Sequence, residues 1–373
     1  MKVGTLDRMK GCLYGGAIGD AFGYAVEFMS IAQIREQYGP NGITELQLVN
    51  GKALISDDTQ MTLFTANGIL NGMTEERLHN DRRPMERYLH NAYMDWLQTQ
   101  RFVPGKALKT TTWLCNIRGL HSVRAPGGTC LRSLSSGVMG TMEYPINSSK
   151  GCGGLMRVSP IGLYFNPAKY SQAEIDLLGA QSAALTHGHQ LGFLPAAALV
   201  HLINRIVYSE GAAPDTLYPL VSETIQSVSS QFSSFSKIED LTSILYKAME
   251  LSKDSSHDDL TNISALGEGW VAEEALAISL YCALRYPGDF MSALIASVNH
   301  SGDSDSTGAI TASILGSLLG YNSIPTTLID SVEFFDVLRE ISEDLYRDSI
   351  APDGAHCREE RWQHKYVKAD FRL

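Results

Sequence analysis

The sequence predicts an all-α fold that forms one domain over residues 1–373. Two observations support this fold class: strand signals are few, and small residues recur at a spacing of four near both ends of the chain. Residues four apart lie on one face of a helix, so each set would form a smooth side that a neighbouring backbone can approach closely. One short β-ribbon is expected near Ile43 to Val49. The repeated small residues are Gly11, Gly15, Gly19 and Gly23, and then Gly308, Ala312, Gly316 and Gly320.

Composition restricts the class of protein further. The chain is 44% hydrophobic, which is ordinary for a soluble globular protein, and its net charge of -11 without a long Lys/Arg run argues against a nucleic-acid ligand. The N-terminus lacks the apolar run of a signal peptide, and no window approaches about 18 uninterrupted apolar residues. We therefore expect a cytoplasmic monomer that binds no membrane. The cysteines show no CxxC or zinc-finger spacing, so a disulfide framework is not expected.

The first glycine repeat lies on a predicted helix over residues 7–29 that delivers two carboxylates, Asp20 and Glu27. Glycine costs about 1 kcal/mol per helical position relative to alanine, so the repeat needs a packing partner, and the second repeat is the natural one. For Asp20 a structural or capping role is the favoured interpretation. Glu27 stands among apolar neighbours, and its carboxylate is either functional or simply solvated on a loop.

The stretch Ser56-Asp57-Asp58 precedes a second apolar helix. Ser56 is a good N-cap, and acidic residues at the first two helical positions favour the helix dipole, which is the purely structural interpretation. Two adjacent ionised carboxylates beside an apolar helix nevertheless repel each other unless a cation lies between them. The alternative interpretation is therefore half of a metal site.

The middle of the chain is predicted to be helical, most clearly from Met85 to Gln98. A Pro-Gly-Gly run within 124–130 predicts a turn. The glycine-rich segment 150–157 either offers backbone N–H groups to a phosphate or forms a tight turn. It lacks the ending of a P-loop and the spacing of a dinucleotide fingerprint.

A capping box from Ser171 to Glu174 begins a helix that leads to His187 and His189. Zinc is not expected here, because no third nitrogen or sulfur ligand stands nearby at zinc spacing. A neutral His187 that donates to a ligand or positions a carboxylate is the better interpretation. Three further predictions are an apolar helix over 190–208, a core helix with Trp270 near its start over 267–284, and a charged, peripheral C-terminal tail over 354–373.

The most informative stretch is 299–308, in which Asp303, Asp305 and Ser306 stand at a predicted helix start. An EF-hand is the first interpretation to test, since the two aspartates fit loop positions 1 and 3. Position 12 would be Ile314, which has no carboxylate, so the EF-hand interpretation fails. The oxygens must therefore find partners elsewhere in the chain.

The stretches at 56–58 and 303–306 together supply four carboxylates and two hydroxyl groups. An oxygen-only donor set suits magnesium, manganese or calcium better than zinc or copper. Four carboxylates exceed what one magnesium ion needs, so two ions about 3.5–4 Å apart are the expected arrangement. Composition does not identify the substrate.

These residues resemble the ADP-ribosylglycohydrolase family, with the motifs in the family's order over about residues 8–345. The resemblance implies a compact single-domain orthogonal helical bundle with two Mg²⁺ or Mn²⁺ ions. It also implies hydrolysis of the glycosidic bond that joins ADP-ribose to a protein side chain or a small acceptor. The motifs are the glycine repeat with Asp20 and Glu27, Ser56-Asp57-Asp58-Thr59, Gly151-x-Gly153-Gly154-x-Met156-Arg157, Thr186-His187, Gly269-Trp270-Val271-Ala272-Glu273-Glu274-Ala275 and Gly302-Asp303-x-Asp305-x-x-Gly308.

The resemblance implies roles for individual residues as well. The catalytic candidates are Glu27, Asp58 and Asp303, and either Glu27 or Asp58 would accept the proton. The carboxylates would stabilise cationic character on the ribose ring while a water approaches the anomeric carbon. The ADP-ribose cleft would be lined by Gly151, Cys152, Gly153, Gly154, Met156 and His187. The metal ligands would be Ser56, Asp57, Asp58, Asp303, Asp305 and Ser306.

Two departures from the family pattern bear on specificity. Serine stands at 56 and 306 where threonine is common, which keeps the oxygen but loses a methyl group that restrains the rotamer. Cys152 stands where some relatives have asparagine, which leaves the acceptor open. Two other functions also stay open: a two-metal phosphohydrolase that acts on a nucleotide, and a catalytically silent member that binds ADP-ribose or has a structural role.

Overall fold

The computed structural model describes residues 3–80, 83–101, 110–351 and 354–373. Within these ranges nearly all regular structure is helical, which confirms the predicted all-α fold. The helices are α1 (Thr5–Tyr24), α2 (Ile31–Tyr38), α3 (Asp57–His79), α4 (Met85–Gln100), α5 (Gly128–Ser135), α6 (Ser159–Tyr164), α7 (Gln172–Ala184), α8 (Gln190–Tyr208), α9 (Leu217–Gln231), α10 (Ile238–Leu251), α11 (Asp259–Ser264), α12 (Ala272–Arg285), α13 (Phe290–Val298), α14 (Ser304–Leu319), α15 (Thr326–Ser331), α16 (Phe335–Ile350) and α17 (Glu360–Tyr366).

Short 3₁₀ turns and one ribbon complete the regular structure of the described residues. The strands β1 (Leu48–Val49) and β2 (Lys52–Ala53) pair in antiparallel fashion, at the end of the stretch predicted for a ribbon and just beyond it. Asn50 and Gly51 form their turn with φ of 53° and 79°, a hairpin signal that the sequence analysis missed. The 3₁₀ turns are Trp113–Asn116, Arg118–Leu120, Cys152–Gly154, Pro214–Thr216, Tyr321–Ser323 and Ala355–Arg358.

The two glycine-rich faces meet, as the spacing of four predicted, because α1 packs along α14. A Cβ atom on Gly11 would lie 2.0 Å from the carbonyl oxygen of Gly316, and one on Gly19 would lie 2.2 Å from that of Gly308. No side chain fits at such distances, so the glycines allow direct backbone contact. Gly320 has a second reason to be glycine: with φ of 85° it ends α14, and a Cβ atom on it would lie 2.3 Å from Oδ2 of Asp7 on α1.

This helix pair determines where the N-terminus of α14 lies. A Cβ atom on Gly23 would lie 2.1 Å from the carbonyl oxygen of Ser304, so the end of α1 touches the beginning of α14. The loop that follows α1 carries Glu27, which is consequently brought to the same place. Close glycine packing at one end of the pair thus positions a carboxylate next to the predicted metal ligands.

Helix α8 lies in the core. It is long and apolar enough to cross a membrane, but 89% of its apolar window is buried inside the protein. Of the described helices, only this one meets those criteria of length and composition.

The C-terminal segment is not peripheral, which corrects the prediction for residues 354–373. Trp362 and Tyr366 stand four apart on α17 and are 2% and 0% exposed. The indole of Trp362 donates to Thr74 of α3 over 2.9 Å, and Lys365 pairs with Asp344 and Glu340 of α16. One of the charged residues that suggested a surface tail therefore forms buried ion pairs, while the aromatic residues contribute to the core.

Candidate active site

A cavity of about 310 Å³ opens where α3 and α14 begin. Most of the predicted site residues line it, and so do residues of two loops to which the sequence assigned no function. Ser56 and Gly154 are both buried and do not line the cavity. The predicted residues at the cavity are Glu27, Asp57, Asp58, Gly151, Cys152, Gly153, Met156, His187, Asp303, Asp305 and Ser306.

One half of the acidic cluster lies at the N-terminus of α14. Single carboxylate oxygens of Glu27, Asp303 and Asp305 come within 4.8 Å of one another. Gly302 makes this arrangement possible: its φ is 147°, and a Cβ atom there would lie 1.9 Å from the carbonyl oxygen of Glu268. The amide of Asp303 donates to that same oxygen over 2.9 Å, which anchors the start of the helix.

The other half lies at the N-terminus of α3. The Ser56 hydroxyl caps the helix by accepting from the Asp58 amide over 3.2 Å, as predicted. Asp20 accepts from the Ser56 amide over 2.9 Å and from the Thr59 amide over 3.0 Å. The structural interpretation of Asp20 agrees with this geometry, because its carboxylate ties the beginning of α3 to α1. The Gly127 amide donates to Asp57 over 3.0 Å.

Burial of several acids together raises their pKa values. Burial is the largest cause for Glu27, whose pKa is raised to about 10, and the neighbouring charges of Asp305 and Asp303 add to it. Burial followed by the charge of Asp305 likewise raises the pKa of Asp20 to about 7 and that of Asp58 well above its ordinary value. Each acid thus resists ionisation because it is buried beside other carboxylates.

Two oxygen atoms show the same imbalance directly. Oε2 of Glu27 and Oδ2 of Asp58 are buried and accept no hydrogen bond from the described residues. No lysine or arginine is among the described residues that line the cavity. Buried carboxylate oxygens are normally paired, so unpaired ones in an all-oxygen donor set fit a hard divalent cation such as Mg²⁺ or Mn²⁺.

The glycine loop closes a second side of the cavity. Cys152–Gly154 forms a 3₁₀ turn, and the Cys152 amide donates to the Trp270 carbonyl over 3.2 Å, just before α12. The Cys152 thiol donates to Asp303 and lies next to Ser306, so it contacts the α14 half of the acidic cluster. His187 lies beneath the loop and is 1% exposed.

An aromatic pair at the cavity was missed by the sequence analysis. Phe28 and Trp270 line the cavity and stack with their ring centroids 6.0 Å apart and their planes at 16°. Phe28 is 73% exposed and Trp270 is 39% exposed. Helix α12 begins only at Ala272, so Trp270 stands in the segment before the predicted core helix and not on its first turns. An apolar residue directly after a candidate catalytic Glu27 was the available signal, but only the fold shows that Trp270 meets it.

The segment before α5 was predicted only as a turn. The chain bends at Ala125, where φ is 49°, and α5 already begins at Gly128. Residues 125–130 line the cavity, and the Gly127 amide binds Asp57. The turn therefore contributes to the site through its backbone, which no side-chain pattern in the sequence indicates.

Known proteins resemble this chain over most of its length. A sequence profile of the ADP-ribosylglycohydrolase family matches residues 1–354. The chain is 25% identical over 365 residues to ADP-ribosylhydrolase ARH3 of Mus musculus, and the match covers 92% of each chain. It is 23% identical over 349 residues to ADP-ribosyl-(dinitrogen reductase) glycohydrolase of Rhodospirillum rubrum, covering 90% of this chain and 93% of that protein. A solved ADP-ribosylglycohydrolase-related protein complex is similar in fold, with a TM-score of 0.63, 21% identity and coverage of 94% and 100%.

Proposed function

Because the chain belongs to the ADP-ribosylglycohydrolase family, whose activity is hydrolysis of ADP-ribose linkages, we propose that it cleaves the glycosidic bond between ADP-ribose and an acceptor group with the help of two divalent cations. The acceptor is a protein side chain or a small molecule. Magnesium is the proposed ion, and manganese is an acceptable substitute because both take oxygen ligands. The reaction takes place in the cytoplasm and needs only one copy of the chain.

One observation carries this proposal: buried carboxylates from three separate segments converge on one cavity, and the described residues that line it include no lysine or arginine. Glu27 follows α1, Asp58 begins α3, and Asp305 begins α14. Glu27 and Asp58 each have one buried carboxylate oxygen that accepts no hydrogen bond from the described residues. A protein that needed these acids only for stability would pair them, since a buried unpaired charge is strongly unfavourable.

The proposed ligands divide between the two helix starts. Bound there, the two ions would neutralise the clustered charge and orient ligand hydroxyl groups and a water molecule. Ser56 would have to bind through the part of its hydroxyl oxygen that the Asp58 amide does not occupy. The ligands are Ser56, Asp57 and Asp58 at α3, with Asp303, Asp305 and Ser306 at α14.

The protein's own groups have separate tasks in the proposed reaction. The carboxylates stabilise the positive charge that develops on the ribose ring as its bond to the acceptor stretches. Glu27 is exposed to the cavity from a loop, whereas Asp58 is held by the first turn of α3. A loop carboxylate adjusts to a ligand more easily than a helical one, which favours Glu27 as the proton acceptor, with Asp58 as the alternative.

We assign the two ends of the substrate to different sides of the cavity. The glycine loop and His187 form the wall proposed for the ADP part. Phe28 and Trp270 lie beside Glu27, where the acceptor would leave. Their exposed rings offer an apolar contact to an acceptor side chain.

The decisive experiment measures release of ADP-ribose from a panel of defined linkages, including arginine and serine acceptors, with Mg²⁺ and with EDTA. Intact ADP-ribose should form only when the metal is present. AMP and ribose phosphate as products would instead establish the phosphohydrolase alternative. If ADP-ribose raises the melting temperature in Mg²⁺ but no linkage is cleaved, the protein is a silent binding member.

A further inference from the structure

A buried arginine lies below the glycine loop with no carboxylate to balance it. Arg157 is 0% exposed, and no carboxylate among the described residues forms an ion pair with it. Its guanidinium lies 4.0 Å from the centroid of the Tyr93 ring and donates to the Ser182 carbonyl over 3.2 Å. It also donates to the Thr186 hydroxyl over 2.7 Å. A buried cation of this kind is costly, so its specific contacts call for an explanation.

The contact with Thr186 continues to a histidine. Oγ1 of Thr186 lies 2.9 Å from Nδ1 of His187, and both residues are almost completely buried. The three side chains therefore form a chain of two hydrogen bonds, Arg157 to Thr186 to His187. We define these three residues as the arginine relay.

Donor and acceptor chemistry gives the relay a direction. A guanidinium donates and never accepts, so the Thr186 oxygen must accept from Arg157. A hydroxyl has one proton, and the strongest acceptor left within reach is Nδ1 of His187. The Cys130 thiol also lies beside Thr186, but sulfur is the weaker acceptor. Nδ1 then carries no proton, and in a neutral imidazole the proton is on Nε2.

We propose that Arg157 and Thr186 are positioning residues that fix His187 in its Nε2–H tautomer, so that the ring presents a hydrogen-bond donor to the cavity. His187 lines the cavity, and no described group forms a hydrogen bond with its Nε2. The ligand identity rests on the proposed function: the donor belongs to the wall assigned to the ADP part of the ligand, and ADP is rich in acceptor oxygens.

The glycines of the loop fit this assignment. A Cβ atom on Gly151 would lie 3.5 Å from Nε2 of His187, and one on Gly153 would lie 3.2 Å from Cε1. A Cβ atom on Gly154 would lie 3.2 Å from Nδ1. The loop thus passes closely around three atoms of the ring, and side chains at 151 and 153 would crowd the edge that carries the donor.

The charge state of the ring agrees with a donor role. Burial, and secondarily the positive charge of Arg157, lowers the pKa of His187 to about 3. The imidazole is therefore neutral at physiological pH and donates a hydrogen bond without giving up its proton. Its expected contribution is to ligand binding and orientation, and Arg157 acts on the ligand only through Thr186 and the ring.

The test compares Thr186→Val, which keeps the shape but removes the hydroxyl, with Thr186→Ser, which keeps the hydroxyl. Nitrogen-15 NMR of histidine-labelled protein reports the tautomer, and His187→Gln assigns the signal among the ten histidines. The wild type and Thr186→Ser should show the Nε2–H form, and Thr186→Val should lose it. An Nδ1–H ring in the wild type, or an unchanged ring in Thr186→Val, would overturn the proposal.

Binding supplies the second readout. With Mg²⁺ present, ADP-ribose should bind about tenfold more weakly to Thr186→Val, as expected for one impaired hydrogen bond, and nearly normally to Thr186→Ser. Equal affinity for all three proteins would contradict the positioning role. Circular dichroism confirms that each variant is folded. If Thr186→Val does not fold, the wild-type ring provides the decision, because an Nδ1–H tautomer there overturns the proposal. Failure of ADP-ribose to bind the wild type would count against the proposed function, while the NMR result would still decide the tautomer.

Discussion

Two buried clusters among the described residues have the composition of metal sites, and they differ in one property. In the first, oxygens of Glu27, Asp303 and Asp305 approach within 4.8 Å of one another, and in the second so do ligand atoms of Asp348, His356 and Cys357. Burial and distance alone do not distinguish them. The difference lies in how completely the protein itself satisfies each set of charges.

The second cluster is complete without a metal ion. Arg77 of α3 forms an ion pair with Asp348 of α16. His356 binds the same carboxylate over 2.6 Å, and the Tyr164 hydroxyl donates to its other oxygen over 2.6 Å. A metal ion placed here would have to displace the Arg77 guanidinium. The contacts of Asp348 with Arg77 and His356 instead join α3 and α16 to the C-terminal segment.

Among the described residues that line its cavity, the acidic cluster has no arginine or lysine to balance it. Its acids raise one another's pKa values, and oxygens of Glu27 and Asp58 stay unpaired. The comparison shows that unbalanced charge, more than proximity of possible ligands, separates a functional cluster from a structural one. It also yields predictions, because matched substitutions in the two clusters should have opposite consequences.

The largest effect is expected for Asp303→Asn, which removes a charge from the acidic cluster. Metal content should fall, and turnover should drop by about 1000-fold, which corresponds to roughly 4 kcal/mol of lost transition-state stabilisation. Metal analysis by mass spectrometry and ADP-ribose release are measured on the same preparation. Unchanged metal stoichiometry together with unchanged turnover would remove Asp303 from the site.

Glu27→Gln should separate chemistry from metal binding. The substitution keeps the shape of the side chain but removes the proton acceptor, so turnover should fall by about 100- to 1000-fold while metal content is retained. Glu76→Gln, on an exposed position of α3, is the matched control and should behave as the wild type. A normal rate for Glu27→Gln would leave Asp58 as the remaining candidate for the proton acceptor.

Asp348→Asn tests the structural cluster. The change removes the buried carboxylate that Arg77 and His356 both contact. The free energy of unfolding should therefore fall by about 3 kcal/mol. Metal content and turnover of the folded fraction should match those of the wild type. Denaturant unfolding followed by circular dichroism provides the first value. Loss of bound metal in this variant would show that the two clusters have been assigned the wrong way round.

Part of this comparison could be predicted from the sequence, because some of the features involved depend only on residues that are close together in the chain. Hydroxyl and acidic residues at the starts of α3 and α14 form a local pattern, and the spacing of glycines indicated that α1 and α14 would meet. Those two facts are enough to bring the halves of the acidic cluster together. The all-α fold likewise follows from helical periodicity, which needs only neighbouring residues.

The features that the sequence did not reveal depend on partners far away along the chain. Arg77 and Asp348 are 271 positions apart in the chain, and Trp362 and Thr74 are 288 apart. Because the partner of Trp362 is so distant in sequence, the C-terminal segment resembled a charged tail. Phe28 and Trp270 are likewise brought together only by the fold. Backbone donors such as the Gly127 amide carry no side-chain signature at all.

The smallest predicted effect concerns the pH dependence of stability without metal. Burial and neighbouring acids raise the pKa of Glu27 from 4.5 to about 10 and that of Asp20 from 3.8 to about 7. Between the ordinary and the raised values the folded protein binds more protons than the unfolded chain, so stability must fall as pH rises. In EDTA, the melting temperature should therefore be a few degrees lower at pH 8 than at pH 6.

Magnesium should largely remove this slope. A cation in the acidic cluster takes the place of the proton as the balancing charge, so that ionisation of the acids no longer destabilises the fold. The difference between melting temperatures with Mg²⁺ and with EDTA should thus grow from pH 6 to pH 8, and in Asp303→Asn it should be small at both. Asp348→Asn should melt at a lower temperature than the wild type. The difference between its melting temperatures with Mg²⁺ and with EDTA should still grow from pH 6 to pH 8, because Asp348 pairs with Arg77 and is not part of the acidic cluster. Equal pH slopes with and without Mg²⁺ in the wild type would show that the acidic cluster does not bind the ion.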